Sequence, residues 1–153
     1  MSEPRWLDER EAQIWLTYRT LAAELNTTLE QRLGGLSGPE YAVLVTLSES
    51  AEGVVRAREL GAAVGWDRSR LSHQVSRMEK RGLVVREECE RDARGSMVRI
   101  TPAGRTAIEA GAPQHVEAVR RYFFDAFASD VERDMFAGVM ERIVAGLPGD
   151  PSS

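Results

Sequence analysis

One cysteine, two histidines and no long apolar run leave several kinds of chemistry without the residues they need. The lone Cys89 cannot close an internal disulfide, and with only His73 and His115 beside it there is no metal-ligand cluster of zinc type. Neither a metal nor a cofactor is expected. No apolar run approaches the roughly 18 residues of a membrane span. The opening stretch MSEPRWLDER is polar and acidic, without the apolar segment of an export signal. Those features lead to an expectation of a cytoplasmic protein with no membrane partner. A P-loop, a G-x-S-x-G elbow, an H-E-x-x-H pair and a Gly-rich dinucleotide turn are all missing, so an enzyme is not expected. Internal repeats and low-complexity tracts are missing too.

What is present is an ordinary globular composition, 42% hydrophobic and 29% charged over 153 residues. That length fits one domain with a real core. The net charge of −4 disfavours an acidic partner such as DNA only if it is spread evenly, and it is not. Residues 56–105 carry 12 Lys and Arg against 7 Asp and Glu, or +5, so the remainder carries 8 − 17 = −9. The basic segment can meet phosphates while the acidic remainder turns DNA away from the wrong face.

Apolar periodicity and cap residues predict a mainly helical chain. The first helix is expected over Asp8–Leu33, with Ile14, Tyr18, Leu21, Leu25 and Leu29 along one side and Gly34-Gly35 as its stop. At roughly 1.5 Å per residue it would be about 39 Å long. Ser37 and Glu40 have capping-box spacing, with Pro39 in the first turn, and open a second helix carrying Tyr41, Leu44, Val45 and Leu47. A short helix, Ala57–Val64, ends at Gly65. A fifth helix is predicted from Ala103 to Phe127, started by Thr101-Pro102 and bent near Gly111–Pro113. The sixth runs over Asp130–Leu147, with Val131, Met135, Val139, Ile143 and Leu147 at i+4 steps. The tail from 148 to 153 is expected to be disordered.

Residues 55–105 hold the most specific order of elements. Asp67 is a good N-cap for a helix in which Leu71, Val75 and Met78 form an inward stripe. Gly82 stands where a left-handed C-cap belongs, and Leu83 follows as the hydrophobic anchor. Two short strands, Leu83–Arg86 and Met97–Ile100, flank the polar segment Glu87–Ser96, whose centre, Arg91–Gly95, reads as a hairpin tip. A helix-turn-helix followed by a two-stranded wing is a DNA-binding design. On the outward face of the helix, Arg70, His73, Gln74 and Arg77 can reach base edges, Arg pairing with guanine and Gln with adenine. Gln74 lies at the edge of the apolar stripe on the helical wheel. Arg68, Ser69 and Ser72, near the helix start, suit phosphate oxygens. Arg94, at the hairpin tip, can enter a narrow A·T-rich minor groove. The competing reading of both groups is a solvated helix face and a charged turn.

The same residues resemble the MarR family of bacterial transcription regulators, whose pattern is R-L-x-x-x-x-x-L-E-x-R-G-L-V, then D-x-R-G in the wing. The matching positions are Arg70, Leu71, Met78 in place of Leu, Glu79, Arg81, Gly82, Leu83 and Val84, then Asp92, Arg94 and Gly95. Ile100, Thr101 and Gly104 match the closing element. The resemblance implies a mainly α fold with a small β-wing. In it, a winged helix-turn-helix lobe at about 37–101 is joined within a single domain of 1–153 to dimerisation helices at about 8–33 and 102–147. It implies that Asp92 orients Arg94 through a carboxylate–guanidinium bond rather than touching DNA.

The apolar excess at both ends, including Ile14, Leu21, Phe123, Phe124, Phe127, Met135, Phe136, Val139 and Ile143, exceeds what one small lobe can bury. A two-fold homodimer is the simplest way to cover it and is the family's arrangement. Two reading helices about 34 Å apart would then fit an inverted repeat in double-stranded DNA. The resemblance further implies a repressor released by a small aromatic ligand. Trp15, Tyr18, Arg19, Tyr41 and His115 could line its cleft, an aromatic wall plus one cation suiting an aromatic carboxylate. The same Trp15 and Tyr18 could equally be core or dimer contacts, and a constitutive or architectural DNA-binding protein without a ligand is the alternative function. Thiol-sensing relatives carry their cysteine near the N-terminus, whereas Cys89 lies among Glu87, Glu88 and Glu90, which suppress the thiolate.

Overall fold

Five of the six helices in the computed structural model, which describes residues 3–88 and 95–149, begin at side-chain caps that the local sequence supplies. The chain divides into two compact units, Met1–Glu117 and Ala118–Ser153. In the first, α1 (Glu9–Glu30) starts at a capping box in which the Glu11 N–H donates to Asp8 Oδ1 at 2.7 Å and the Asp8 N–H donates to Glu11 Oε2 at 3.0 Å. The helix stops three residues short of the expected Leu33. Leu33 instead turns into the core beside Leu36, both under 8% exposed, and α1 is about 33 Å long at 1.5 Å per residue.

The second helix, α2 (Gly38–Glu49), repeats the capping box with Ser37 and Glu40. Its buried face is Glu40, Val43, Leu44 and Leu47, the i, i+3, i+4, i+7 set of one helix side. Then come β1 (Val54–Arg56), α3 (Ala57–Val64), α4 (Arg68–Lys80), β2 (Val84–Glu88), β3 (Ser96–Ile100) and α5 (Pro102–Tyr122). Leu60 of α3, Leu71, Val75 and Met78 of α4, Val84, Val98 and Ile100 of the sheet and Ile108 of α5 join the α2 face in one core.

The three strands form an antiparallel sheet in the order β1-β3-β2. β1 is an addition to the two-stranded wing expected from sequence. Val54-Val55-Arg56 is too short to show alternation and becomes a strand only by pairing with the distant Arg99, Val98 and Met97. The wing strands are also longer than expected, because Glu87 and Glu88 pair with Met97 and Ser96. Arg99 bonds both carboxylate oxygens of Glu87 diagonally across that ladder, which holds the polar residues in strand conformation and keeps the Glu87 carboxyl below its ordinary range.

At the end of α4, Gly82 takes φ 74° and the Leu83 N–H donates to the Met78 carbonyl at 3.0 Å, a six-to-one closure that only a left-handed residue permits cheaply. Thr101 then fastens the wing base to α5. Its hydroxyl donates to the Gly82 carbonyl and accepts from the Gly104 N–H at 3.0 Å, and its own N–H donates to the Leu83 carbonyl at 3.1 Å. A Cβ on Gly104 would stand 2.1 Å from that Leu83 oxygen, so the approach requires glycine.

In the second unit α5 ends at Tyr122 rather than Phe127, and a 3-10 turn, Phe124–Ala126, follows. Phe123, Phe127 and Phe136 pack edge to face with centroids 5.4–6.0 Å apart, which folds the chain back instead of prolonging the helix. Ser129 caps α6 (Asp130–Ala145), accepting from the Glu132 N–H at 3.2 Å. Among the described residues no helix is long and apolar enough to cross a membrane.

Glu40 joins two elements. Its carboxylate closes the α2 capping box and also accepts from Arg81 at the end of α4. Burial alone would raise its pKa, but the hydrogen bond from Arg81 and those at Ser37 outweigh it and leave the carboxyl below its ordinary 4.5. A depressed acid contributes stability above its unfolded pKa and loses it as pH falls through the folded value. Glu40→Gln should therefore lower the unfolding free energy at pH 7 by about 1–2 kcal/mol, at the low end for a charged hydrogen bond because Arg81 is half exposed. In urea titrations the gap between wild type and variant should close as pH is taken below 4.5. A gap that stays constant with pH would assign the loss to packing.

Candidate nucleic-acid interface

The inward stripe of α4 decides what its other face can do. With Leu71, Val75 and Met78 each at most 4% exposed, Arg68, Ser69, Arg70, Ser72, His73 and Arg77 are turned to solvent. Asp67 fixes the start of the helix by accepting from the Arg70 N–H at 2.8 Å. Arg68, Ser69, Ser72 and His73 line an open depression on this face. Hydroxyls, an imidazole and a guanidinium around the first turns of a helix make a surface suited to phosphate and base-edge acceptors.

Gln74 does not belong to that surface, which corrects its assignment as a base reader. It is 5% exposed, three residues after Leu71 and four before Met78, and so shares their buried side. Its Oε1 accepts a hydrogen bond from Arg77 at 2.5 Å, tying that exposed arginine to the lobe. Arg70 is held in another way, its guanidinium carbon 4.6 Å from the centre of the Trp66 ring.

Arg81, Arg86 and Arg99 of the basic segment form ion pairs within the chain. Arg81 is on Glu40, Arg99 on Glu87 and the Glu52 carbonyl, and Arg86 on α4. Arg86 is the most heavily bonded. From β2 its guanidinium donates to the Ser72 carbonyl at 2.7 Å, Ser72 Oγ at 3.1 Å, Ser76 Oγ at 3.0 Å and Glu79 Oε1 at 2.8 Å. Its backbone N–H adds Glu79 Oε2 at 3.1 Å. Neither Arg86 nor Trp66 was singled out from sequence. The Trp66–Arg70 spacing of four residues was a usable signal, while the reach of Arg86 from a strand to a helix depends on tertiary placement. Asp92 and Arg94, with Cys89 and most of the hairpin tip, lie outside the described residues.

Four of the five residues assigned to a ligand cleft form two pairs. Trp15 and Tyr18 stack on each other on α1, centroids 5.4 Å apart, and both are more than half exposed. Tyr41 and His115 bring α2 and α5 together with centroids 4.6 Å apart, and Tyr41 packs against the core. Burial raises the pKa of Tyr41, helped by the charge of Glu49, and lowers that of His115, whose buried Nδ1 has no hydrogen-bond partner among the described residues. Arg19 is exposed and joins neither pair.

The sequence matches the MarR family profile over residues 34–95, from the α1–α2 loop to the wing tip. A crystal structure of Sco3205, a MarR family transcriptional regulator from Streptomyces coelicolor in complex with DNA, is 36% identical with a TM-score of 0.90, covering 97% of this chain and 95% of that one. AbsC, another MarR family regulator from Streptomyces coelicolor, is 37% identical with a TM-score of 0.84, over 94% of this chain and 100% of its own. CouR from Rhodococcus jostii RHA1, bound to p-coumaroyl-CoA, is 27% identical with a TM-score of 0.73, over 90% and 95%. A winged helix-turn-helix matched nearly end to end at this identity fixes the family: the chain belongs to the MarR family of transcriptional regulators.

Proposed function

We propose that this regulator acts as a cytoplasmic homodimeric repressor, reading an inverted repeat with α4 and releasing it when a small aromatic ligand binds. The observation that carries the DNA-reading part is the exposed α4 face, with Arg68, Ser69, Ser72 and His73 around one depression and Arg70 and Arg77 beside it. The DNA complex of Sco3205 supports the same use of the fold. In this reading Arg70, His73 and Arg77 contact bases and Arg68, Ser69 and Ser72 contact phosphates. Arg94, oriented by Asp92, enters the flanking minor groove.

Dimerisation is supported by two helices that carry no fully buried residue within the single chain. Neither α1 nor α6 has a buried residue, and Ile14, Trp15, Met135 and Ile143 are each more than half exposed. Helices of 22 and 16 residues seldom persist in water on propensity alone, so these faces require a covering surface, and a second copy supplies one by symmetry. Sedimentation equilibrium at micromolar concentration should give about twice 17.0 kDa. A monomer there removes the paired-helix geometry.

DNA reading is checked by selecting bound duplexes from a random pool and then measuring single-base variants of the selected site. Arg77→Ala should cost about 1–3 kcal/mol and relax preference at one base pair per half-site. Arg94→Ala should weaken binding most where the flanks are A·T-rich and leave the major-groove preference intact. Identical profiles for the two variants would refute this division of roles.

The ligand part draws on the two aromatic pairs in the first unit and on CouR, whose ligand carries an aromatic acyl group. A ligand that weakens DNA binding tenfold must itself bind tenfold more weakly to the DNA complex, about 1.4 kcal/mol of coupling. Titrating salicylate-like acids with and without operator duplex, followed by Trp fluorescence, should show that reciprocity. Arg19→Ala should weaken carboxylates more than neutral phenols. Aromatic binding indifferent to operator, or none at all, favours the constitutive alternative.

A further inference from the structure

Trp66 occupies the turn between α3 and α4 and is fixed there by the lobe. Its backbone N–H donates to the Gly61 carbonyl at 3.0 Å, and its partly buried ring packs against the core. Arg70, one helical turn on, is held by this turn twice. Its backbone N–H is on Asp67 Oδ1 at 2.8 Å, and its guanidinium carbon lies 4.6 Å from the Trp66 ring centre, inside the roughly 6 Å range of a cation–π contact. A guanidinium held over a ring spends no N–H donor on a hydrogen-bond acceptor there, so its N–H edge stays available. Among the described residues that edge donates no hydrogen bond, in contrast to the edges of Arg77, Arg81, Arg86 and Arg99.

An exposed arginine normally samples many rotamers and must lose them on meeting a base. A ring platform restricts the side chain beforehand without consuming donors, which is the arrangement a bidentate contact with guanine O6 and N7 needs. We propose that Trp66 is a specificity-determining positioning residue, whose ring holds the Arg70 guanidinium in register for a base edge. Trp66 itself touches no DNA. The inference rests on the reading of α4 as the DNA-contacting helix and adds to it the residue that orients one of its contacts.

The test is a double-mutant cycle on a selected operator duplex and its single-base variants, with Trp66→Leu, Trp66→Phe and Arg70→Ala, alone and combined. Trp66→Leu should lose about tenfold in affinity and relax preference at the same base pair as Arg70→Ala. Trp66→Phe, which keeps a π face, should stay within about threefold of wild type. In the Arg70→Ala background Trp66→Leu should add less than about twofold, because its effect passes through Arg70. The salt dependence of Trp66→Leu should keep the wild-type slope, since no phosphate contact is lost. In the free wild-type protein, Arg70 side-chain resonances should be shifted upfield by the ring current, a readout that does not depend on any Trp66 variant folding. A Trp66→Leu loss undiminished in the Arg70→Ala background would make Trp66 a fold residue only, and unshifted Arg70 resonances would equally overturn the proposal. Arg70→Ala binding with wild-type affinity and preference would remove Arg70 as a reader and the proposal with it. A wild-type protein that selects no duplex would instead sink the DNA-reading function as a whole.

Discussion

The Arg86 guanidinium, reaching from β2 to four acceptors on α4, is the contact on which the geometry of the lobe depends. Ser72, Ser76 and Glu79 lie at i, i+4 and i+7 along one side of the helix, so bonding to all three fixes the rotation of α4 about its axis as well as its distance from the wing. The hydrophobic stripe of Leu71, Val75 and Met78 would tolerate some rolling, because apolar burial has no direction. Charge-assisted hydrogen bonds do have one. The result is a helix whose outward residues are set to within the tolerance of a hydrogen bond.

The charge of the lobe is accordingly divided between two tasks. Arg81, Arg86 and Arg99 neutralise Glu40, Glu79 and Glu87 inside the domain and act as internal fasteners. Arg68, Arg70 and Arg77 remain on the exposed helix. Residues 56–105 carry a net +5, and the exposed α4 face holds three of the arginines outside these ion pairs. Acidic residues elsewhere leave that face as the place where a polyanion is attracted.

Much of this was legible in the sequence where the signal was local. Caps at Asp8, Ser37, Asp67 and Thr101 act on atoms within three or four residues, and the helices they open begin close to where the sequence puts their starts. The left-handed Gly82 and the α4 stripe were readable for the same reason. What escaped depends on distant partners. β1 exists because of β3, the wing strands lengthened because Arg99 bridges to Glu87, and α1 ended early because Leu33 has a core to enter. At the site, the wheel put Gln74 on a boundary, and only packing decided that its amide faces inward to hold Arg77. The role of Arg86 comes from what it lies against across the fold, whereas Trp66 offered only its spacing of four residues from Arg70.

The join between wing and α5 has a mechanical meaning. Thr101 is bonded to Gly82 and Leu83, and the Gly104 backbone sits against the Leu83 carbonyl with no room for a methyl group between them. A joint packed that tightly has no slack in compression, and its hydrogen bonds resist extension. The first turn of α5 cannot pivot without carrying the end of α4 and the root of β2 along. His115 stands on the same helix, about 16 Å further along at 1.5 Å per residue, pressed against the Tyr41 ring of α2. Helix α5 is thus fastened at both places, to the end of α4 and the root of β2 through Thr101 and Gly104 and to α2 through the His115–Tyr41 contact.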